Sequence, residues 1–176
     1  MVQAIRSSAI VVAAIWVGVL FCLGFIVAPY LFTLAARGNS VVPNTGAAAD
    51  LIGPLLYGAD VLGLAAGTAL LLALLFLRRR RELPLGGRWY LCELGLGAAI
   101  LCAAVNYWLL APQAKVVKNQ LAERYGAFLH ADRADDLFRQ SSTLHQASTV
   151  VFVIGFMAVL VSLVCMTRFR STMAKT

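Results

Sequence analysis

Charged residues are scarce in this sequence, and their scarcity excludes most classes of protein. Only 13% of the 176 residues are charged, whereas 61% are hydrophobic. An ordinary soluble domain has about 25% charged and roughly 45–50% apolar residues. A chain this short has too little interior to bury so much apolar surface. We therefore exclude a soluble globular domain and a disordered chain, and we predict an integral membrane protein.

Histidines are few and cysteines are unpaired, which argues against a bound cofactor. The two histidines are His130 and His145. A haem held by two histidines needs both inside the bundle, and His130 lies in a connection outside the apolar runs. Haem is therefore disfavoured, and one buried histidine is weak support for copper. The four cysteines lack the spacing of a metal site. We predict no cofactor and no metal, with the cysteines as packing residues.

Catalytic motifs are missing as well. The sequence contains no nucleophile elbow, phosphate-binding loop or metallohydrolase signature, so the balance is against an enzyme without deciding the question. The net charge of +7 lies in short blocks between apolar runs. We assign it to the flanks of membrane helices and not to nucleic acid.

What the sequence does contain is four apolar runs, each long enough to cross about 30 Å of hydrocarbon as a helix. Pro29 is expected to kink or end the first helix. The expected fold is an all-α, four-transmembrane-helix bundle that forms one membrane domain over residues 1–176. The predicted spans are about 8–33, 53–77, 89–110 and 142–167.

The connection between the third and fourth spans, residues 111–140, is too long for a plain turn. Pro112 suits the first turn of a new helix, and an amphipathic stripe follows it. A second helix from about Ala134 is expected to run into the fourth span. The sequence therefore predicts an outer amphipathic helical cap. Its stripe consists of Val117, Leu121, Tyr125 and Phe128.

The arginines predict the orientation. The densest basic cluster, residues 78–81 with Arg88, lies between the second and third spans, and short basic loops stay in the cytoplasm. Arg6 and Arg168 fall on the same side. We predict that both termini are cytoplasmic. The composition, rich in Ala, Gly, Leu and Arg, favours a bacterial inner (plasma) membrane.

Polar residues at membrane depth are costly, so each is a candidate functional residue. Asp60 lies in the second span, Asn106 and Tyr107 near the outer end of the third, and His145 and Ser148 in the fourth. All five fall in the outer third of the bundle. They predict a small polar pocket for an ion, a proton or a small polar ligand. The alternative is that Asp60 and His145 bond each other and only fix the helix packing.

Small residues share helix faces with these polar groups. Gly63 and Gly67 follow the aspartate of the second span, at a spacing that allows close helix contact. Gly95 and Ala99 precede the asparagine of the third span on one arc. We predict that these four are helix-packing residues. Glu93, at the cytoplasmic end of the third span, is assigned a structural role.

Several short motifs resemble those of one known family. They are Trp16-x-Gly18, Ala28-Pro29 with Phe32, the Ala-rich segment 47–56 and Leu144-His145-x-x-Ser148. Together they resemble the transmembrane protein 205-like family, also called domain of unknown function 4149. The resemblance implies a four-span membrane protein of unsettled activity, with His145 and Ser148 as the positions of a shared site.

Three hypotheses for function follow. The first is a non-catalytic accessory subunit that packs against a larger membrane complex, such as an energy-converting one; small size, missing catalytic motifs and Gly/Ala helix faces favour it. The alternative is a small transporter or ion-handling protein that uses the pocket at Asp60 and His145. The third is a haem- or copper-binding membrane protein. The expected partners are the lipid bilayer and either a membrane protein or a second copy of the chain.

Overall fold

The computed structural model describes residues 2–38, 40–41, 45–79, 87–125 and 136–173. Within these ranges the regular structure is helical and no strand occurs. Two π-helical turns, π1 (Cys22–Val27) and π2 (Asn106–Leu110), join α1 to α2 and α4 to α5. The α-helices are α1 (Val2–Phe21), α2 (Ala28–Ala36), α3 (Thr45–Arg79), α4 (Gly87–Val105), α5 (Ala111–Tyr125) and α6 (Asp136–Met173).

Four helical segments are long and apolar enough to cross a membrane, which confirms the predicted all-α, four-helix class. They have 30 to 33 residues each, or roughly 45–50 Å, against about 30 Å of hydrocarbon. They are longer than the predicted spans: α3, for example, begins at Thr45 and continues through Pro54. The helices therefore extend beyond the bilayer. The segments are Ser7–Ala36, Ala47–Arg79, Trp89–Leu121 and Asp136–Thr167.

The four spans form a ring in which α1 and α4 each pack against α3 and α6. Across the α3–α4 pair, Arg78 meets Glu93 at one level and Asp60 meets Asn106 at another. These two helices are therefore antiparallel. We call the end that carries Arg78 the basic end. The opposite end, which carries α5, is the α5 end.

The α1–α3 contact is built around Trp16, which is 6% exposed. A Cβ added at Gly63 would lie 3.0 Å from the indole, and one at Gly67 would lie 2.9 Å from it. The two predicted packing glycines thus make room for side chains, namely the Trp16 indole at both positions and Ile100 of α4 at Gly67, and not for the backbone of a neighbouring helix. The absence of two Cβ atoms is what lets the ring lie in the core.

Helices α4 and α6 approach each other closely at Gly95. A Cβ at Gly95 would overlap Ser162 Oγ and lie 2.8 Å from the carbonyl oxygen of Ala158. The Ser162 hydroxyl is within hydrogen-bonding distance of the carbonyl oxygens of Cys92 (3.1 Å) and Ala158 (2.9 Å). Ala99, on the same arc as Gly95, is buried. Small residues here allow a buried hydroxyl to bond between helices.

Neither of the two expected helix-altering prolines ends a helix. Pro29 is the second residue of α2 and Pro112 the second residue of α5, and the chain remains helical on both sides. Pro112 lies in the first turn of α5, as expected, but α5 follows α4 through π2 without a break in the helical chain. A proline lacks the N–H that bonds four residues back. A π turn precedes each proline. Its hydrogen bonds span five residues in place of four, as from Ala28 N–H to Leu23 O, and they shift the backbone hydrogen-bond register before the proline.

The predicted cap is formed by α5 and the first turns of α6, which pack against each other. Val117 and Leu121, from the amphipathic stripe, are buried. As predicted, the helix that precedes the fourth span runs into it without a break, because α6 begins at Asp136. The side chain of Tyr125, together with Phe128, His130 and Ala134, lies outside the described residues.

The basic end carries an ion pair between α3 and α4. Arg78 Nη1 donates to Glu93 Oε2 at 2.8 Å, and Arg78 Nη2 donates to the hydroxyl of Tyr90 at 2.7 Å. The guanidinium also lies 4.5 Å from the centre of the Tyr90 ring. Glu93 is therefore bonded across the helix pair to Arg78.

Candidate ligand site at the α5 end

Three polar side chains from three parts of the chain form a hydrogen-bonded chain inside the bundle. Asn106 Nδ2 donates to Asp60 Oδ2 at 2.5 Å, and Ser148 Oγ donates to Asn106 Oδ1 at 2.6 Å. Asp60 and Asn106 are 8% and 9% exposed. We call these three residues the polar chain; it connects α3, π2 and α6.

The polar chain lies close to one boundary of the hydrocarbon layer. Along α3, roughly 27 Å separate Asp60 from Arg78, and along α6 roughly 29 Å separate Ser148 from Thr167. The hydrocarbon core is about 30 Å thick, and Arg78 marks its boundary at the basic end. The polar chain is therefore near the boundary at the α5 end, where water and lipid headgroups begin.

Asp60 has no basic partner among the described residues. The ion pairs found there join Arg78 to Glu93 and Lys118 to Asp50. Beside Asp60 is a cavity of about 20 Å³, lined mainly by apolar side chains together with Asn106 and Cys102. That volume is enough for a single water molecule. A buried carboxylate without a counter-ion is an unusual feature for a packing contact.

A larger cavity opens at the α5 end between α2, α3, α5 and α6. Its volume is about 370 Å³, which is within the range of small-molecule sites. Its larger apolar side chains are Phe32, Leu110, Phe138 and Leu144, and its polar ones are Lys118, Ser141, Ser142, His145 and Ser148. We call this space the α5-end cavity.

Most polar groups of the α5-end cavity are free to bind a ligand. Ser141, Ser142 and His145 make no side-chain hydrogen bond with another residue that the structure describes. Lys118 is paired with Asp50. Ser148 belongs both to the cavity lining and to the polar chain, so it links the cavity to the buried carboxylate.

The structure brings together three of the five predicted pocket residues, namely Asp60, Asn106 and Ser148. His145 lies one helical turn nearer the α5 end, where it is exposed and lines the α5-end cavity. The alternative in which Asp60 and His145 bond each other is wrong, because the carboxylate is bonded to Asn106. Both His145 and Ser148 line the cavity, but only Ser148, one turn of α6 farther along, also reaches Asn106 in the core.

Tyr107, the fifth predicted pocket residue, belongs to an aromatic cluster and lines neither cavity. Its ring stacks on Tyr57 with 4.5 Å between centroids and meets Trp108 edge-on at 5.4 Å. Tyr57 and Trp108 are exposed on the side of the bundle. At this depth, amphipathic rings are typical of the membrane interface.

Lys118 and Phe138 line the cavity although the predicted pocket did not include them. Ala111 and Ala114, one turn apart on α5, leave the space that these larger side chains surround. Ala111 and Ala114, as small residues on an otherwise polar helix, are the sequence signal that indicates a space beside α5. They do not reveal the facing helices, which the tertiary packing determines.

The hydroxyl of Ser148 is bonded to an amide and not to a base. An amide oxygen does not activate the hydroxyl as a nucleophile. Within the described part of the chain, no three or more His, Cys, Asp or Glu side chains converge as metal ligands.

Comparison of the chain with protein-family models, curated proteins and solved structures finds no match. The resemblance to the transmembrane protein 205-like family therefore stays a prediction from its motifs.

Proposed function

We propose that this protein is a non-catalytic membrane protein that binds an anionic amphiphile in the α5-end cavity. The observation that carries the proposal is the lining, in which Lys118, Ser141 and Ser142 offer hydrogen-bond donors beside apolar walls. A molecule with an acceptor-rich head and an apolar body matches both parts of this lining. The proposal shares with the small-transporter hypothesis a ligand near His145, but the ligand is a lipid-like anion and no transport is proposed.

The donors of the lining favour an anionic head, although Asp50 already balances the charge of Lys118. Lys118 lines the cavity, and no carboxylate does so among the described residues. An ammonium group has three donors, and Asp50 takes one of them. The remaining donors and the serine hydroxyls suit a phosphate or carboxylate head. A hydrogen bond to a charged group contributes about 1.5–3 kcal/mol.

The depth of the cavity fits a molecule that comes from the lipid leaflet. Along the helix axis, Leu110 lies roughly 26 Å from Glu93, inside the hydrocarbon. Leu144 lies roughly 35 Å from Thr167, just beyond the boundary of the hydrocarbon. Lys118 and Ser141 lie farther out, at the level of the headgroups. A bound amphiphile therefore places its apolar body against the leucines and its charged head beside the lysine.

Native mass spectrometry of the purified protein in mild detergent tests the proposal. We expect dioctanoyl phosphatidylglycerol to bind, and dioctanoyl phosphatidylcholine, whose head carries a compensating cation, to bind about tenfold more weakly. Lys118→Gln should weaken phosphatidylglycerol binding by about tenfold or more, because it removes a charge-assisted hydrogen bond.

Lys115→Gln is the matched control, because it makes the same charge change at an exposed position of α5 that does not line the cavity. It should leave binding unchanged. Ala114→Leu fills the cavity without changing any charge and should abolish binding. Equal binding of the two lipids, or equal losses from Lys115→Gln and Lys118→Gln, would contradict the proposal.

The accessory-subunit hypothesis predicts a different result in the same spectrometer. Protein extracted from its native membranes would then carry a second, stoichiometric chain, and the chemistry of that partner would define the function. The binding proposal predicts this chain, alone or with copies of itself, with lipid attached.

The orientation in the membrane is part of the proposal and is supported by the arginines. Arg78 and Arg79 end α3 and belong to the densest basic cluster, which favours a cytoplasmic basic end. Both termini are then cytoplasmic, in a plasma (inner) membrane, and the α5-end cavity faces outwards. A phosphatase that is active only outside the cytoplasm should be inactive when fused to the C-terminus. Full activity of that fusion would reverse the orientation.

A further inference from the structure

We infer that Asp60 binds a proton and that this proton strengthens the binding of the anionic amphiphile by reversing the hydrogen bonds of Asn106. The inference rests on the proposed function for the identity of the ligand. Its mechanism rests on the geometry of the polar chain, which joins a buried carboxylate to a hydroxyl of the cavity lining.

The two hydrogen bonds of the polar chain point the same way, from Ser148 towards Asp60. The hydroxyl of Ser148 donates to Asn106 Oδ1, and Asn106 Nδ2 donates to Asp60 Oδ2. This pattern, in which the carboxyl group of Asp60 only accepts, is the one that the ionised form makes. A serine has a single hydroxyl hydrogen, and here Asn106 accepts it. Ser148 therefore has no hydrogen to give to a ligand in the cavity.

A proton on Asp60 reverses this direction. The protonated carboxyl group donates to Asn106 Oδ1 once the amide has turned over, and Nδ2 then donates to Ser148 Oγ. The proton comes from a hydronium ion of the solvent, in which one O–H bond breaks as one O–H bond forms on Asp60. The hydroxyl hydrogen of Ser148 is released from the amide. It then becomes available to an oxygen atom of the ligand head.

The ionised form has little electrostatic support in the bundle. Two described cations, Arg78 and Lys118, are paired with other carboxylates, and an unpaired charge is costly in an apolar environment. Binding a proton removes that charge. An anion in the cavity favours the protonated form further, because it accepts the released hydrogen of Ser148. Proton and ligand therefore bind with positive coupling, which is reciprocal.

Few other titratable groups lie near the polar chain. Around Asp60, α1 presents Trp16 and α4 presents Cys102, while the neighbouring side chains of α6 are apolar. In the α5-end cavity, α5 presents Lys118, which is paired with Asp50 of α3, and α6 presents His145. Histidine changes its charge in the physiological range, so the test needs a variant that removes it.

The pH dependence of phosphatidylglycerol binding tests the inference, because the phosphodiester head stays ionised across the working range. The natural chain should bind the lipid about tenfold more tightly at about pH 5 than at about pH 8. This change corresponds to the one charge-assisted hydrogen bond that Ser148 donates to the head at the lower pH. In Asp60→Asn the new amide donates to Asn106 as the protonated carboxyl does. That variant should bind at the tight level at every pH.

Two further variants separate Asp60 from the rest of the site. Ser148→Ala has no hydroxyl hydrogen to release, so it should bind at the weak level at every pH. His145→Ala should keep the tenfold ratio between the two pH values, whatever its absolute affinity. A tenfold ratio that survives in Asp60→Asn, or that disappears in His145→Ala, would overturn the inference.

Infrared difference spectroscopy of the ligand-free protein separates this inference from the proposed function. Lowering the pH should produce the C=O band of a protonated carboxyl together with a shift of a side-chain amide band, and both should be absent in Asp60→Asn. If these bands appear in a protein that binds no phosphatidylglycerol, the proposed ligand fails and the proton-driven reversal stands. A carboxyl band without the amide shift, or no carboxyl band, overturns the reversal.

Discussion

Gly95→Ala is expected to destabilise the bundle by about 2–3 kcal/mol, although it adds a single methyl group. The new Cβ would overlap Ser162 Oγ and lie 2.8 Å from the carbonyl oxygen of Ala158. The hydroxyl can rotate away, but the carbonyl belongs to the backbone of α6, so the two helices must separate. Overpacking of this kind costs about 1–3 kcal/mol. The displaced hydroxyl also loses its hydrogen bond to Cys92, worth about 1 kcal/mol.

Unfolding in mixed micelles of mild detergent and dodecyl sulfate measures the effect, with Gly97→Ala as the control. Gly97 is two residues farther along α4 and has nothing within 4 Å of an added Cβ. There the same substitution should stabilise the helix, by up to about 1 kcal/mol, because alanine has the higher helix propensity. Opposite signs at the two positions are expected. Shifts of the same sign and size would show that the close α4–α6 contact is absent.

The double variant Gly95→Ala with Ser162→Ala tests which atom causes the clash. Removing Ser162 Oγ relieves one of the two close approaches and leaves the carbonyl oxygen of Ala158 in place. Stability should therefore recover only in part. Because the two residues are in contact, their effects should not be additive.

The number and class of the helices could be predicted from the sequence, but the facing partners could not. Runs of apolar residues determine how many helices cross the bilayer, and small residues at helical spacing indicate the packing face, as for Gly95 and Ala99. Periodicity within one helix says nothing about the opposite surface. Ser162, which is fully buried, is recognisable as a polar residue at membrane depth, but no sequence pattern identifies Gly95 as the residue it lies against.

For the candidate site as well, the sequence predicts which residues are polar at membrane depth but not which side chains bond each other. Asp60, Asn106 and Ser148 are recognisable because polar groups at membrane depth are rare, and the structure bonds them in a chain. His145 is equally recognisable but faces the α5-end cavity. The sequence gives the depth of a residue to within a turn, whereas its bonding partner depends on the rotation of the helix. That rotation is set by packing along its whole length.

The π2 turn also has no sequence signal. It begins at Asn106 itself, and a π turn adds a residue to one helical turn, which changes the face presented by the residues on either side. Asn106 faces the core, whereas Trp108 is exposed. Its depth near the outer end of the third span assigned Tyr107 to the pocket, but the stack on Tyr57 and the edge-on contact with Trp108 place it in the aromatic cluster. π turns are frequent at functional sites.

Trp16→Ala is expected to cost about 3 kcal/mol. In soluble cores the loss of a buried Trp costs about 3–5 kcal/mol. The lower end applies here, because lipid and detergent also solvate the ring when the helices separate, so van der Waals packing is the main loss. Gly63 and Gly67 have no side chain that can fill the space. The same unfolding assay in mixed micelles measures this change.

Trp108→Ala is the matched control, because this ring is 62% exposed on the side of the bundle and its loss should change the free energy of unfolding little. Trp16→Phe should lose about half as much as Trp16→Ala. The five-membered side of the Trp16 indole contacts Gly63 and the far edge of its six-membered ring contacts Gly67, so the smaller ring of phenylalanine retains part of the contact. Equal losses from Trp16→Ala and Trp108→Ala would mean that the two glycines do not accommodate the ring. A full loss from Trp16→Phe would instead mean that both glycine contacts depend on the complete indole.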